Sequence, residues 1–239
     1  MNPYELTQQI SDYLHFHYCD DKYFDIPNFP KNCIETLAKR IDLNSKKKAL
    51  DLGCSVGRSS FELAKYFEKV EGIDFSFGFI EKANELKNNG EIQYSIIDEG
   101  SLFEERYSKL KELNLDTVKH KAFFYQGDAC DLQAEFTDYD LVFGGNLIDR
   151  LPDPKKFLMD ITARINLGGY LVLTSPYTWL EDFTSRDLWP KGRTLDFIKD
   201  SLGDHFFMEQ KEDIPFVIRE TARKHQHTLA EMSIWKRVS

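Results

Sequence analysis

The chain has 239 residues, with 31 Lys and Arg against 40 Asp and Glu, giving a formal net charge of −9. That length can bury a full core as one domain, or as one domain with additions. The acidic balance, with no long basic run, argues against nucleic acid or an anionic membrane surface as a partner. No apolar run approaches the roughly 18–20 residues of a membrane span. Met1-Asn2-Pro3-Tyr4-Glu5 lacks the basic-then-apolar order of a signal peptide. Cys19, Cys33, Cys54 and Cys130 show no paired metal-ligand spacing. They read as free thiols in a reducing cytoplasm, and no metal is expected.

In chain order, residues 3–18 read as a helix ending in Tyr13-Leu14-His15-Phe16-His17-Tyr18, and Pro27 and Pro30 break it. Ile34, Leu37, Ala38 and Ile41 predict a second helix by their spacing. Both precede the first strand, so residues 1–45 are expected to pack outside the core as a helical cap over a ligand.

The stretch 47–75 organises the rest of the chain. An apolar run ends in Asp51, a loop carries Gly53, Cys54, Ser55 and Gly57, an amphipathic helix comes next over Ser59–Phe67, and a second apolar run ends in Asp74. This is a strand, a turn, a helix and a second strand with an acid at its tip. Glycines in the turn let backbone bend and approach a ligand, and an acid at the second tip suits the two hydroxyls of a ribose. The pattern is D-x-G-x-x-x-G. An acid at the loop's start would repel a pyrophosphate but suits an ammonium. The expected ligand is therefore S-adenosylmethionine, with a sulfonium, an ammonium and a carboxylate, rather than a dinucleotide.

Phe75 offers an apolar face beside Asp74, and Ser76 is a predicted N-cap for a helix over Phe77–Lys87, closed by Asn88-Asn89-Gly90. Residues of about 91–120 read as an insertion before the third core strand, with a strand at Ile92–Ile96 and a charged helix over Leu102–Leu113. The third core strand, Ala122–Gln126, delivers Asp128 and Ala129, which fit an adenine: a carboxylate for the amine and a backbone amide for the ring. Tyr139–Phe143 opens into Asn146, placed for the methionine end of the ligand. Pro154 starts a helix. Leu167-Gly168-Gly169 turns into Tyr170–Ser175, whose tip carries Tyr177 and Trp179. A helix near Thr194–Leu202 precedes a strand at Phe206–Gln210, and the last strand runs from about His227 to Trp235.

Alternating strands and helices imply one mostly parallel sheet of seven strands, covered on both faces, over 46–239. Ligands bind such sheets beyond the carboxyl ends of the strands, and Gly53, Asp74, Asp128, Asn146 and Ser175 all follow strand ends. Between the sixth and seventh strands, Asp213–His227 reads as a charged excursion holding an acceptor. Arg219 or Arg223 could grip a carboxylate, Glu220 or Asp149 could hold an ammonium, and His225 or His227 could meet a ring nitrogen or a thiolate. Tyr13, Tyr18 or Trp179 could face the sulfonium.

The stretches Tyr13–Tyr18, Ala49–Ser60 (ALDLGCSVGRSS), Gln126–Leu132 (QGDACDL), Asn146–Pro154 (NLIDRLPDP), Thr174–Leu180 (TSPYTWL) and Pro215–Glu231 (PFVIRETARKHQHTLAE) resemble the 4-mercaptohistidine N1-methyltransferases of ovothiol biosynthesis. In many relatives this unit is the C-terminal domain of a 5-histidylcysteine sulfoxide synthase. The cofactor motifs are common to very many methyltransferases; the last two stretches are the particular ones. The resemblance implies a Rossmann-like class I methyltransferase fold. It also implies transfer of a methyl group to the imidazole π-nitrogen of 5-thiohistidine, giving ovothiol A and S-adenosylhomocysteine, with a separate sulfoxide synthase as a partner. Tyr13, His17, Tyr18, Asn146, Arg150, Tyr177 and Trp179 are further candidates for binding the acceptor. Another small imidazole, amine or thiol acceptor, or a non-catalytic cofactor-binding role beside the synthase, are the alternatives.

Overall fold

A computed structural model describes residues 7–43 and 46–239. The start of the first predicted helix, residues 3–6, lies outside them. Helix α1 (Thr7–Tyr18) and helix α2 (Phe29–Arg40) precede the first core strand. One side chain joins them. Asn28 Oδ1 accepts from Lys31 N at 3.2 Å as the N-cap of α2, while its Nδ2 donates to the carbonyls of Phe16 and His17, both at 3.0 Å. The free amides of one helix start and the free carbonyls of another helix end are thus satisfied together.

The core alternates as expected. β1 (Lys48–Leu52), α3 (Arg58–Leu63), β2 (Lys69–Asp74) and α4 (Phe77–Asn89) are followed, after an insertion, by β5 (Ala122–Gln126), β6 (Tyr139–Gly145), α5 (Pro154–Ile161), β7 (Ile165–Ser175), α6 (Thr194–Leu202), β8 (Phe206–Arg219) and β9 (His225–Arg237). The seven strands lie in the order β5-β2-β1-β6-β7-β9-β8; β9 alone runs antiparallel to its neighbours. The order departs outward from β1 on both sides, so the sheet has its switch point between β1 and β6. Apolar clusters cover both faces. Leu63, Phe67, Phe143 and Val172 meet α2 residues Ile34 and Leu37 on one face; Leu50, Val142, Leu171 and Trp235 meet α5 and α6 on the other.

The insertion corrects one expectation. Its first half is β3 (Glu91–Glu99), but its second half is β4 (Leu102–Lys109), an antiparallel partner of β3, and not a helix. A helix there would need Leu102, Phe103 and Tyr107 as a buried stripe. All three are exposed, whereas β3 alternates Ile92, Tyr94 and Ile96 inward against α1 and α4. A period-2 partner governs β4.

The charged excursion is the second correction. Asp213–Arg219 and His225–His227 are ladder, not loop. Ser175 at the tip of β7 is level with Glu231 and Asp213, so residues 214–219 and 225–230 continue past the sheet edge as a two-stranded arm, a rise of about 20 Å. Ile214, Phe216 and Ala230 on one side of the arm pack against α2 and its neighbours. Its far end donates from Arg219 Nη1 to Ile97 O at 2.7 Å and from Ala222 N to Asp98 O at 3.1 Å.

Candidate active site at the strand tips

The loops beyond the strand tips are laced to one another by backbone bonds. Gly53 N and Cys54 N both donate to Ile73 O, at 2.8 and 3.1 Å, and Gly127 N donates to Asp74 O at 2.9 Å. Asp74 holds the loop after β1 and the start of α4: one oxygen accepts from Ser55 N and the other from Ser76 N, each at 2.9 Å. Asn146 N donates to Thr174 O at 2.9 Å, and Thr174 Oγ1 donates to Asn146 Oδ1 at 3.1 Å. Asp128 Oδ1 accepts from Cys130 N at 2.8 Å. Ser55, Asn146 and Tyr177 sit at φ 50°, 51° and 55°, left-handed conformations that cost non-glycine residues free energy and cluster at ligand sites.

The two motif glycines divide their roles. Gly53, at φ +67°, lets the loop after β1 close on Leu147 of the loop after β6; a Cβ there would lie 3.0 Å from Leu147 Cδ1. Gly57, expected at the ligand, faces the core instead. A Cβ on it would stand 2.7 Å from the Phe124 ring. The Cys54 side chain is likewise wholly buried, leaving only its backbone for a ligand.

Asp51 is 1% exposed. Its Oδ2 accepts from Ser59 Oγ at 2.7 Å and Ser60 Oγ at 2.6 Å. Its Oδ1 is buried and has no hydrogen-bond partner, and neither has the Ser55 Oγ. Burial raises the Asp51 carboxyl to about 7, against the two serine hydroxyls that lower it, with the Asp74 charge adding to the rise. A buried acceptor left without a donor, four residues before an equally unmatched hydroxyl, fits a ligand that brings an ammonium. Phe75, 65% exposed, flanks the Asp74 tip, with Ala129 partly buried beyond it. The unmatched atoms of Asp51 and Ser55 therefore fit the ammonium of S-adenosylmethionine. Among the described residues no group of three or more His, Cys, Asp or Glu converges on a metal position, and no helix is long and apolar enough to cross a membrane.

The cap meets this loop directly. Tyr18 Oη donates to Val56 O at 2.6 Å, and Arg58 Nη1, fully buried, donates to His17 O at 3.1 Å. Arg58 also pairs with Glu62 at 2.8 Å. Tyr18 is thus a strut between cap and loop, not an exposed face for a cation. His17 is buried against it, and burial first, then the Arg58 charge, lowers its ring to about 3, so it is neutral. Tyr13 packs 4.8 Å from the Phe79 ring at the start of α4.

Four other expected acceptor residues have structural work. Asp149 is wholly buried and accepts from Ser175 Oγ, Thr178 N and Thr178 Oγ1 and pairs with Arg150 at 2.9 Å. Arg150 also donates to Thr178 O at 2.7 Å. Both staple the loop after β6 to the loop after β7, so neither the carboxylate nor the guanidinium is held in reserve for an acceptor. Trp179 Nε1 donates to Thr194 Oγ1 at 3.1 Å, which holds the indole on the α6 side. Tyr177 Oη donates to Glu231 Oε1 at 2.8 Å, joining the tips to the arm.

On the arm, cross-strand pairs put Arg219 opposite His225, Val217 opposite His227, Pro215 opposite Leu229 and Asp213 opposite Glu231. Residues two apart share a face, so these eight share the face that Glu231 brings to Tyr177. Glu220 and Arg223 fall in the turn: Glu220 pairs with Lys224 at 2.5 Å, and Arg223 is exposed. Sequence reading missed Ser59 and Ser60 as holders of Asp51, Asn28 as the double cap, and Glu231. Of these only Asn28, just ahead of Phe29-Pro30, carried a legible signal, an N-cap followed by an early proline.

A sheet of this strand order, with an unmatched buried acid near the end of β1 and an acid closing β2, is that of a Rossmann-like class I methyltransferase. A family model described as a methyltransferase domain matches residues 43–191, and the chain belongs to that family, whose cofactor is S-adenosylmethionine. The chloroplastic tocopherol O-methyltransferase of Arabidopsis thaliana is 27% identical over 134 residues, which cover 56% of this chain and 30% of that relative's length. Magnesium protoporphyrin IX methyltransferase from Synechocystis PCC 6803, solved with bound S-adenosylhomocysteine, superposes with a TM-score of 0.61 at 15% identity over 98% of this chain and 96% of its own. The N-methyltransferase NodS from Bradyrhizobium japonicum WM9, also in complex with S-adenosylhomocysteine, superposes with a TM-score of 0.58 at 13% identity over 98% and 99%. At these identities the two structures share the fold with this chain.

Proposed function

We propose that the chain acts as one catalytic domain, with its N-terminal helices as cap, and methylates the imidazole π-nitrogen of 5-thiohistidine, releasing ovothiol A and S-adenosylhomocysteine. Bound S-adenosylmethionine supplies an electrophilic methyl on a sulfonium. The observation that carries the acceptor assignment is the arm. One face of it presents Arg219, His225 and His227 at its far end and Asp213 and Glu231 near Tyr177, and the cation and imidazoles of the far end suit the carboxylate and acidic thiol of a small amino acid. The family resemblance of Pro215–Glu231 supports the same reading.

A neutral imidazole nitrogen already has a lone pair, so the residues have to orient the acceptor and keep water out more than to remove a proton. The laced tip loops and the Tyr18–Val56 strut supply that rigidity. Asp51 would hold the cofactor's ammonium, and Arg219 and His225 would bracket the acceptor. A separately encoded sulfoxide synthase would deliver that acceptor, and the reaction would belong in the cytoplasm. The test is incubation with S-adenosylmethionine and either 5-thiohistidine or histidine, followed by mass spectrometry. One added methyl on thiohistidine alone is expected; no mass gain on thiohistidine removes the proposal, and transfer to many unrelated imidazoles, amines or thiols replaces it with a broader one.

A further inference from the structure

Among the described residues, six buried side-chain nitrogen or oxygen atoms have no hydrogen-bond partner. Two of them, on Asp51 and Ser55, mark the cofactor loop. Three others belong to another place: His15 Nδ1 on α1, Arg106 Nε on β4 and His225 Nε2 on β9. These come from distant parts of the chain and meet around Tyr23. His15 Nε2 is 2.9 Å from Tyr23 Oη, and the His225 ring lies 4.7 Å from the Tyr23 ring. Arg106 is 3.6 Å from Asp21, and Asp21, His15, Tyr23 and Arg219 line one cavity of about 30 Å³.

Both arginines act on the same histidine. His15 is 3% exposed; burial first, then the charges of Arg219 and Arg106, push its ring down to about 4. It is neutral at neutral pH, and in the tautomer that accepts the Tyr23 hydroxyl at Nε2 its Nδ1 carries a hydrogen that meets no acceptor. An arginine Nε is a donor and never an acceptor, so Arg106 too lacks an acceptor. The acids nearby do not supply one. Asp21 and Glu104 already pair with the Arg106 terminal nitrogens, and Asp12, close to Arg219, has its carboxyl raised by burial. What would satisfy the site is a small anion with two acceptor atoms. The cavity has room for about two water-sized atoms, the head of a carboxylate and not a whole amino acid.

We propose that this cavity is a carboxylate subsite, lined by His15 and Arg219 with Arg106 and His225 packed beside it, and that it takes the carboxylate of the methyl acceptor; the second half rests on the function proposed above. The arrangement gives Arg219 partners that its position in the sequence did not announce. Arg219 and His15 then hold the acceptor by its charged end, in the field of the Arg106 guanidinium beside them.

Two measurements on the full chain separate the halves. The first is titration with sodium acetate at constant ionic strength, balanced by chloride, read by NMR of the histidine rings and assigned with His15→Gln and His225→Gln. Saturable shifts of both signals are expected, with affinity weakened about tenfold in Arg106→Gln through loss of a charge-assisted donor. The Arg219→Lys variant, which keeps the charge but not the fork, should weaken it less. No saturable shift, or an unchanged response in Arg106→Gln, overturns the subsite. The second measurement is methyl transfer to 5-thiohistidine and to its decarboxylated counterpart. Acetate should compete with the first only, and Arg106→Gln and Arg219→Ala should raise KM for the first only, with affinity for S-adenosylhomocysteine unchanged. Acetate binding that leaves both KM values unmoved overturns the acceptor assignment. Absence of turnover on either acceptor overturns the proposed function, while the acetate titration still decides the subsite.

Discussion

Replacing Asp51 by Asn should make the ligand-free protein more stable at alkaline pH while weakening its hold on the cofactor. The carboxyl moves from an ordinary 3.8 to about 7 because it is buried with one oxygen unmatched. At roughly 1.4 kcal/mol per pH unit, the ionised form costs about 4 kcal/mol of folding free energy above pH 7. The folded chain binds this proton more tightly than the unfolded chain. The contribution is therefore fully present below about pH 3.8, falls as pH rises between those values, and is gone above about 7. Asn keeps an acceptor for Ser59 and Ser60 but puts an amide NH2 where Oδ1 has no partner, a penalty of about 1–3 kcal/mol. The balance is a gain of about 1–3 kcal/mol at pH 8, a rise in Tm of roughly 2–10 °C for a chain of this size.

The assay is thermal unfolding of wild type and Asp51→Asn at about pH 5 and pH 8, with and without S-adenosylhomocysteine. Wild type should lose stability across that interval more steeply than the variant, and the ligand should raise the Tm of wild type more. Near pH 6.5, an ammonium brought beside Asp51 should also expel its proton, visible as buffer-dependent binding enthalpy. A variant that is less stable than wild type at pH 8 and keeps the same pH slope would refute the view that Asp51 is a strained acid waiting for a cation.

Asp74→Ala should weaken S-adenosylhomocysteine by at least about tenfold in calorimetry, because its carboxylate fixes Ser55 and Ser76 and in the proposed site would also accept from the ribose; unchanged affinity contradicts that place in the site. Gly57→Ala should lower stability by about 2 kcal/mol or more, since φ is +90° and the added methyl meets the Phe124 ring. Chemical denaturation reads that loss, and a neutral result would mean the Phe124 ring gives way. Tyr18→Phe should cost about 1 kcal/mol of stability and raise the cofactor Kd by loosening the loop at Val56; an unchanged Kd would limit Tyr18 to packing.

The alternation from Lys48 to Asp74, and again from Ala122 to Trp235, was legible in the sequence because local rules write it: period-2 and period-3.6 apolar spacing, Ser76 and Pro154 at helix starts, Gly90 at a helix end. The acids at the tips were legible for the same reason, since a residue that closes a strand is placed by that strand. The second half of the insertion was not. A stretch such as Leu102-Phe103-Glu104-Glu105-Arg106-Tyr107 suits either period, and only β3 beside it makes it a strand. Nor could spacing show that Asp149 and Arg150 spend their charges on Thr178, that Gly57 faces Phe124, or that Asp213–His227 is an arm rather than a loop.

By itself, then, the sequence determined the order of elements outside the insertion and the acids at the ends of the first two core strands, because each depends on residues within one or two turns of chain. The tertiary structure alone decided which side chains those acids and cations meet. His15, Arg106, Arg219 and His225 lie far apart along the chain, and only the folding of the arm across α1 to β3 brings them together around Tyr23 and the cavity beside it.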